Sequence, residues 1–137
     1  MTFYRLCAQS QTSDIDAYDR YINATGAILD SDTGLLRIPK CQSTNLRSLY
    51  FKIADRLFEL IANAQIFPLS TIMPMGGSPE FAYLTVGTLG TRTSFPPCML
   101  GSTFLERYYT VFDASNQSIG LATTQLTYLK IEYSNIG

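Results

Sequence analysis

Short apolar runs interrupted by turn-forming residues set the fold class of this chain. GAILDSDTGLLRIP (residues 26–39) holds two of them, AIL and LLRIP, on either side of an acidic turn, and Pro39 stops the second. YYTVFD (108–113) and SIGLATT (118–124) read as strands around an Asp-Ala-Ser-Asn-Gln turn, and FAYLTVGTLG (81–90) is strand-like with glycine interruptions. TFYRLCAQ (2–9) predicts a first strand. In the tail, LTYLKIEY (126–133) alternates apolar and polar residues from Leu129 to Tyr133, as an edge strand does. PLSTIMPMGGSPE (68–80) and TRTSFPP (91–97) carry enough Pro and Gly to predict loops, and the polar SQTSDIDAYDRYINATG (10–26) predicts a loop or a weak hairpin.

One segment breaks the pattern. Leu46, Leu49, Tyr50, Ile53, Leu57, Phe58 and Ile61 recur at three- and four-residue spacing, which predicts an amphipathic helix over 45–64 with Ser43 or Thr44 as its N-cap. Thr103 to Glu106 has capping-box spacing for a second, short helix. The expected architecture is therefore mostly β with one longer and one short helix, in a single domain over 1–137, a length that buries a real core.

Composition removes several function classes. Charged residues are 15% of the chain and the net charge is −1, so no electrostatic pull toward nucleic acid or an anionic membrane is expected. No apolar run approaches the ~20 residues of a membrane span. No basic stretch followed by an apolar one opens the sequence, so a signal peptide is not expected within it. Histidine is absent and the three cysteines, Cys7, Cys41 and Cys98, form no CxxC pair. That argues against a zinc site, rules out an imidazole-dependent triad and leaves no cofactor indicated. One disulfide at most can form within the chain, with its pairing open. Two glycosylation triplets are present, Asn23-Ala-Thr25 and Asn116-Gln-Ser118.

The acidic turn contains both Asp30 and Asp32. Taken alone, Asp-Ser-Asp-Thr-Gly between two apolar strands is ordinary turn chemistry. Its context adds to that. AILDSDTGLLRIP resembles the A-[IV]-[LV]-D-[ST]-G-[ST]-[ST]-L-x-x-x-P signature of pepsin-like aspartic proteases. MLGSTFLERYYTVFDASNQSIGLA (99–122) resembles the ILGDxFLRxYYxVFDxxNxxIGLA run in the carboxy-terminal lobe of the same family. FYRL (3–6) is similar to the first strand of that lobe. The likeness is close over 27–39 and 99–122.

The resemblance implies a double-psi-type β-barrel lobe and an aspartic endopeptidase chemistry in which two carboxylates share a proton and activate one water. Ungapped alignment puts Asp30 on the family's catalytic aspartate, with Asp32 where the family has glycine, Gly34 where it has a hydroxyl residue and Ser102 where it has aspartate. By the same resemblance, Ser31 ties the turn to a partner loop and Thr33 donates its hydroxyl to the outer oxygen of Asp30. Gly101 would let a second segment cross close beneath the turn. The lesser alternative starts the motif at Asp32, as an Asp32-Thr33-Gly34 triplet serving a homodimer. Either way a peptide or protein substrate is implied, together with a second lobe: an amino-terminal lobe or another copy of the chain. A catalytically inactive lobe serving as a binding or structural module is the other reading. The family likeness implies a secreted or vacuolar/lysosomal-type location.

Overall fold

The computed structural model describes residues 14–88 and 100–130. Helix α1 (Asp14–Thr25) leads into the short strand β1 (Ile28–Leu29), the acidic turn and β2 (Leu36–Pro39). A hairpin of β3 (Leu49–Ile53) and β4 (Arg56–Leu60) follows, then α2 (Leu69–Ile72) and β5 (Phe81–Leu84). The single-turn helix α3 (Ser102–Leu105) runs into a second hairpin, β6 (Tyr108–Asp113) and β7 (Ser118–Thr123). All strand pairing among the described residues is antiparallel. It forms a β1-β2-β5 sheet and the two hairpins. A mostly-β lobe is thus what the chain forms, and its strands at 28–29, 36–39, 81–84, 108–113 and 118–123 lie where the apolar runs predict them.

The helix expected over 45–64 is instead the β3–β4 hairpin, preceded and followed by 3-10 turns at Lys40–Asn45 and Ala62–Gln65. The apolar residues there satisfy two periodicities at once. Leu49, Phe51 and Ile53 alternate along one strand, and they face Leu60, Phe58 and Arg56 across the pair. Tyr50 and Lys52 fall on the other face, where the Tyr50 hydroxyl reaches Glu59 Oε1 at 3.3 Å. Two residues, Ala54 and Asp55, make the turn, with Ala54 at φ 51°. No Gly or Asn marks this reversal, so the sequence conceals it. Burial decides between the periods: only the strand places Leu49, Phe51 and Leu60 in one core with Phe104 and Tyr108.

The longer helix lies earlier, in the segment expected to be loop or hairpin. α1 has no internal Gly or Pro, and Tyr18, Tyr21 and Ile22 share one face at i, i+3, i+4 and pack on the core. It stops where Gly26 adopts φ 67° and its N–H returns to the Ile22 carbonyl at 2.8 Å. The short helix is present as expected, but its N-cap is Gly101 and no side chain caps it, so the Thr103–Glu106 capping box does not form. The loop expected over 68–80 contains α2 and a 3-10 turn. In the tail, Gln125 to Tyr128 form turns rather than the start of an edge strand. Leu129 and Lys130 are not in a strand either. The remainder of that expected strand, 131–133, the one over 2–9, Cys7 and Cys98 lie outside the described residues.

Two features tie these pieces together. Phe104 of α3 stands edge-on to Phe51 (5.3 Å between centroids) and beside Tyr108 (4.9 Å), whose ring also meets Phe58 edge-on at 5.4 Å. Gln65, fully buried, accepts a bond from the Tyr21 hydroxyl at 3.0 Å and donates through Nε2 to the carbonyls of Arg47 (2.8 Å) and Leu60 (3.3 Å). One amide thereby joins α1 to both ends of the β3–β4 hairpin. Gln65→Leu keeps the volume but removes these bonds, leaving buried polar groups to be desolvated. It is expected to cost about 1–3 kcal/mol, read as a lower urea midpoint at unchanged m-value. Space is equally tight at Gly77, where a Cβ would sit 2.0 Å from Ile72 Cγ2 and 3.2 Å from Tyr83 Cζ. Gly77→Ala should therefore lower the midpoint by about 1–3 kcal/mol through overpacking, and an unchanged midpoint would show that Ile72 moves aside freely.

Candidate functional site

The acidic turn is a closed loop with every backbone reversal accounted for. β1 and β2 end on the Asp30–Leu35 pair, where Asp30 N–H donates to the Leu35 carbonyl at 2.8 Å. Inside it, Gly34 N–H returns to the Asp30 carbonyl at 2.8 Å. Gly34 sits at φ 71°, a left-handed conformation that glycine adopts without a Cβ penalty. The turn therefore supplies a glycine where the chain needs one.

The Asp30 side chain folds back over this turn and is 3% exposed. Its Oδ2 accepts from the Thr33 hydroxyl at 2.7 Å and from the Thr33 N–H at 3.1 Å. Its Oδ1 pairs with Arg37 Nη1 at 2.7 Å. The guanidinium in turn lies 4.1 Å over the ring of Phe81, on the far strand of the sheet. The Thr33 hydroxyl does most to hold the Asp30 carboxyl below its ordinary pKa; burial opposes it, and the Thr33 N–H and the Arg37 charge add to the lowering. Asp30 is thus an ionised carboxylate with both oxygens engaged.

The other residues of the expected site diverge. Thr33 makes the hydroxyl contact expected of it. Ser31 and Asp32 are exposed on the outside of the turn, and Asp32 lies beside the 3-10 turn at Met73–Met75, its Cβ 4.0 Å from where a Cβ on Gly76 would be. Gly101 is exposed at the start of α3, and among the described residues a Cβ there would meet nothing within 4 Å. Among the described residues no segment crosses close to Gly101, which leads directly into α3.

Arg37 and Phe81 are the partners that the motif did not indicate. Their positions follow from register. Ile28 opposes Arg37 and Asp30 opposes Leu35, so Asp30 and Arg37 are diagonal neighbours on one face of the hairpin, within reach of a long side chain. Counting outward from the Asp30–Leu35 closure would have found the pair, but that closure is known only once the turn is. Cys41 is an exposed free thiol in the 3-10 turn after β2.

A strand-rich lobe with this turn and a carboxy-terminal hairpin defines the class as aspartic-protease-like, and comparison with known proteins agrees. The family model for eukaryotic aspartyl protease matches residues 9–124, and the chain belongs to that family. It is 48% identical to polyporopepsin of Irpex lacteus over 113 residues, which make up 82% of this chain and 33% of that protein. Gastricsin of Macaca fuscata fuscata is 31% identical, across 71% of this chain and 30% of the relative. The crystal structure of the aspartic proteinase from Irpex lacteus superposes with a TM-score of 0.76 at 46% identity, covering 84% of this chain and 34% of that one. The chain therefore spans about a third of the length of the relatives it matches.

The direction of the Asp30 shift fixes a pH dependence. A carboxyl whose folded pKa lies below its ordinary 3.8 stabilises the fold fully above that value. The contribution is lost as pH falls below 3.8 and through the folded pKa. Wild type should therefore lose stability steeply in that acid range. Asp30→Asn should start from a lower denaturation midpoint at pH 6 and show a shallower acid decline. Parallel curves for the two proteins would mean the carboxylate contributes nothing to folding.

Proposed function

We propose that this chain forms part of an aspartic endopeptidase, built as one domain over 1–137 on the carboxy-terminal-lobe pattern. In this reading it cleaves peptide bonds only in company with the rest of the peptidase. Asp30 supplies one carboxylate of the proton-sharing dyad there, and the second acid comes from an amino-terminal lobe or another copy of the chain. The observation that carries this is the Thr33 hydroxyl donating to Asp30 Oδ2 at 2.7 Å, the contact that the family likeness implies. A dyad carboxyl must face a second acid, hold the attacking water and pass between protonation states. To meet that acid, on another lobe or on a second copy, Oδ1 gives up its pair with Arg37 while Oδ2 keeps the Thr33 hydroxyl.

Two further observations support the need for a partner. The chain corresponds to about a third of polyporopepsin. The register of the β6–β7 hairpin puts Tyr109, Val111, Gly120 and Ala122 on one face, and Tyr109 is 64% and Val111 46% exposed. An apolar sheet face of this kind suits burial against another part of the enzyme. The substrate is accordingly a protein or peptide, and the site of action secreted or vacuolar, as for a peptidase working on the acid side.

The second reading keeps Asp30 only as the carboxylate that locks the β1–β2 turn, and the 2.7 Å pair of its Oδ1 with Arg37 favours it. A third, an inactive lobe kept for binding, is distinguished by the same experiment. The chain is joined to the amino-terminal portion of a related peptidase and assayed on a denatured protein at acid pH. Activity in the joined protein, with kcat lost in a folded Asp30→Asn variant, is the expected result. Asp30→Asn keeping kcat within a few-fold, at reduced Tm, would leave Asp30 the turn-locking role alone. No activity in a folded, joined protein would leave the inactive lobe.

A further inference from the structure

The β6–β7 hairpin carries a feature that proteolysis does not use. Its connecting turn and the first residue of β7 form Asn116-Gln117-Ser118, an Asn-X-Ser triplet with no proline. Asn116, Gln117 and Ser118 are all exposed, and Gln117 turns the chain at φ 50°. We propose that Asn116 is an acceptor for an N-linked glycan when the chain passes through the secretory pathway. The proposal rests on the secretory placement argued above and is independent of which residues cleave peptides.

Geometry favours this triplet. Asp113 opens the turn and holds Asn116 twice: Oδ1 accepts from the Asn116 N–H at 3.0 Å, and Oδ2 accepts from Asn116 Nδ2 at 2.7 Å. A primary amide has two N–H groups. In the transfer, Nδ2 bonds to the anomeric carbon of an oligosaccharide carried on a lipid pyrophosphate. The carbon–oxygen bond to that carrier breaks with its electron pair, the pyrophosphate leaves on the lipid, and the amide gives up one proton. One N–H remains on Nδ2, enough to keep the bond to Asp113. The folded turn therefore accommodates the sugar without losing its own side-chain contacts. The second triplet differs. Asn23 stands within α1, and its hydroxyl residue, Thr25, is turned back on the helix, donating to the Tyr21 carbonyl at 2.8 Å.

The position also gives the sugar something to cover. Phe112 and Ile119 face each other one pair below the turn, 68% and 65% exposed. Large apolar side chains so open at the end of a protruding hairpin are an aggregation liability. A hydrated glycan rooted at the adjoining turn screens them, and it leaves the Tyr109–Val111 face, on the other side of the sheet, free to be covered by protein.

The test is expression of the chain behind a secretory leader in a yeast, followed by intact mass and peptide mapping before and after peptide-N-glycosidase. The expected result is a hexose-containing mass increment on the peptide bearing Asn116. It should be abolished by both Asn116→Gln and Ser118→Ala and survive in Asn23→Gln. The two single variants should also bind more of a hydrophobic dye and precipitate at lower concentration than the glycosylated protein. If a variant fails to be secreted, a peptide spanning 108–123 is offered to yeast microsomes and scored for the same increment. An unmodified Asn116 in secreted protein, or an increment carried by Asn23 alone, overturns the assignment. Peptidase activity has no part in either readout, so failure here and failure of the endopeptidase reading are separable.

Discussion

The carboxylate of Asp30 is the point on which the β1-β2-β5 sheet turns. A hairpin with a two-residue first strand has few ladder bonds to hold it. Its stability must come from the turn itself and from side chains crossing the sheet. Asp30 supplies both: Thr33 closes the turn on one oxygen, and Arg37 carries the other across to Phe81 on β5. Three strands are thus coupled by one ionised group. The strands so fixed place Leu36, Ile38, Ala82 and Leu84 in the common core.

That same engagement sets what a second acid would displace in order to meet Asp30. A carboxylate surrounded by donors is held in its charged form, and a dyad pairs one charged acid with one neutral one. Motif spacing records residue identity along the chain. It does not record whether an arginine seven positions on returns to meet the aspartate.

Most of the sheet structure was legible before any coordinates. The AIL, LLRIP, FAYL, YYTVFD and SIGLAT runs are strands because alternating or uniformly apolar short runs, bounded by Asp, Gly, Pro and Asn, have no other compact solution. The β3–β4 hairpin and α1 were not legible, for opposite reasons. In 45–64 the apolar residues fit both a 3.6 and a 2 period, and the reversal at Ala54-Asp55 lacks a glycine. In 14–25 helix-forming residues are present, but the inward face is made of tyrosines and a single isoleucine, which reads as polar until Tyr21 is seen against Gln65. Of the candidate site, the Asp30–Thr33 contact was implied by the family resemblance, while the Arg37 partner was not.

The sequence by itself determined the family, the mostly-β class and the position of the acidic turn, since these follow from local residue order and from side-chain pattern. Tertiary structure alone decided which face each segment buries and which groups meet Asp30. The reason is that cross-strand neighbours are selected by register and by competition for the core, and both are settled only when distant segments pack.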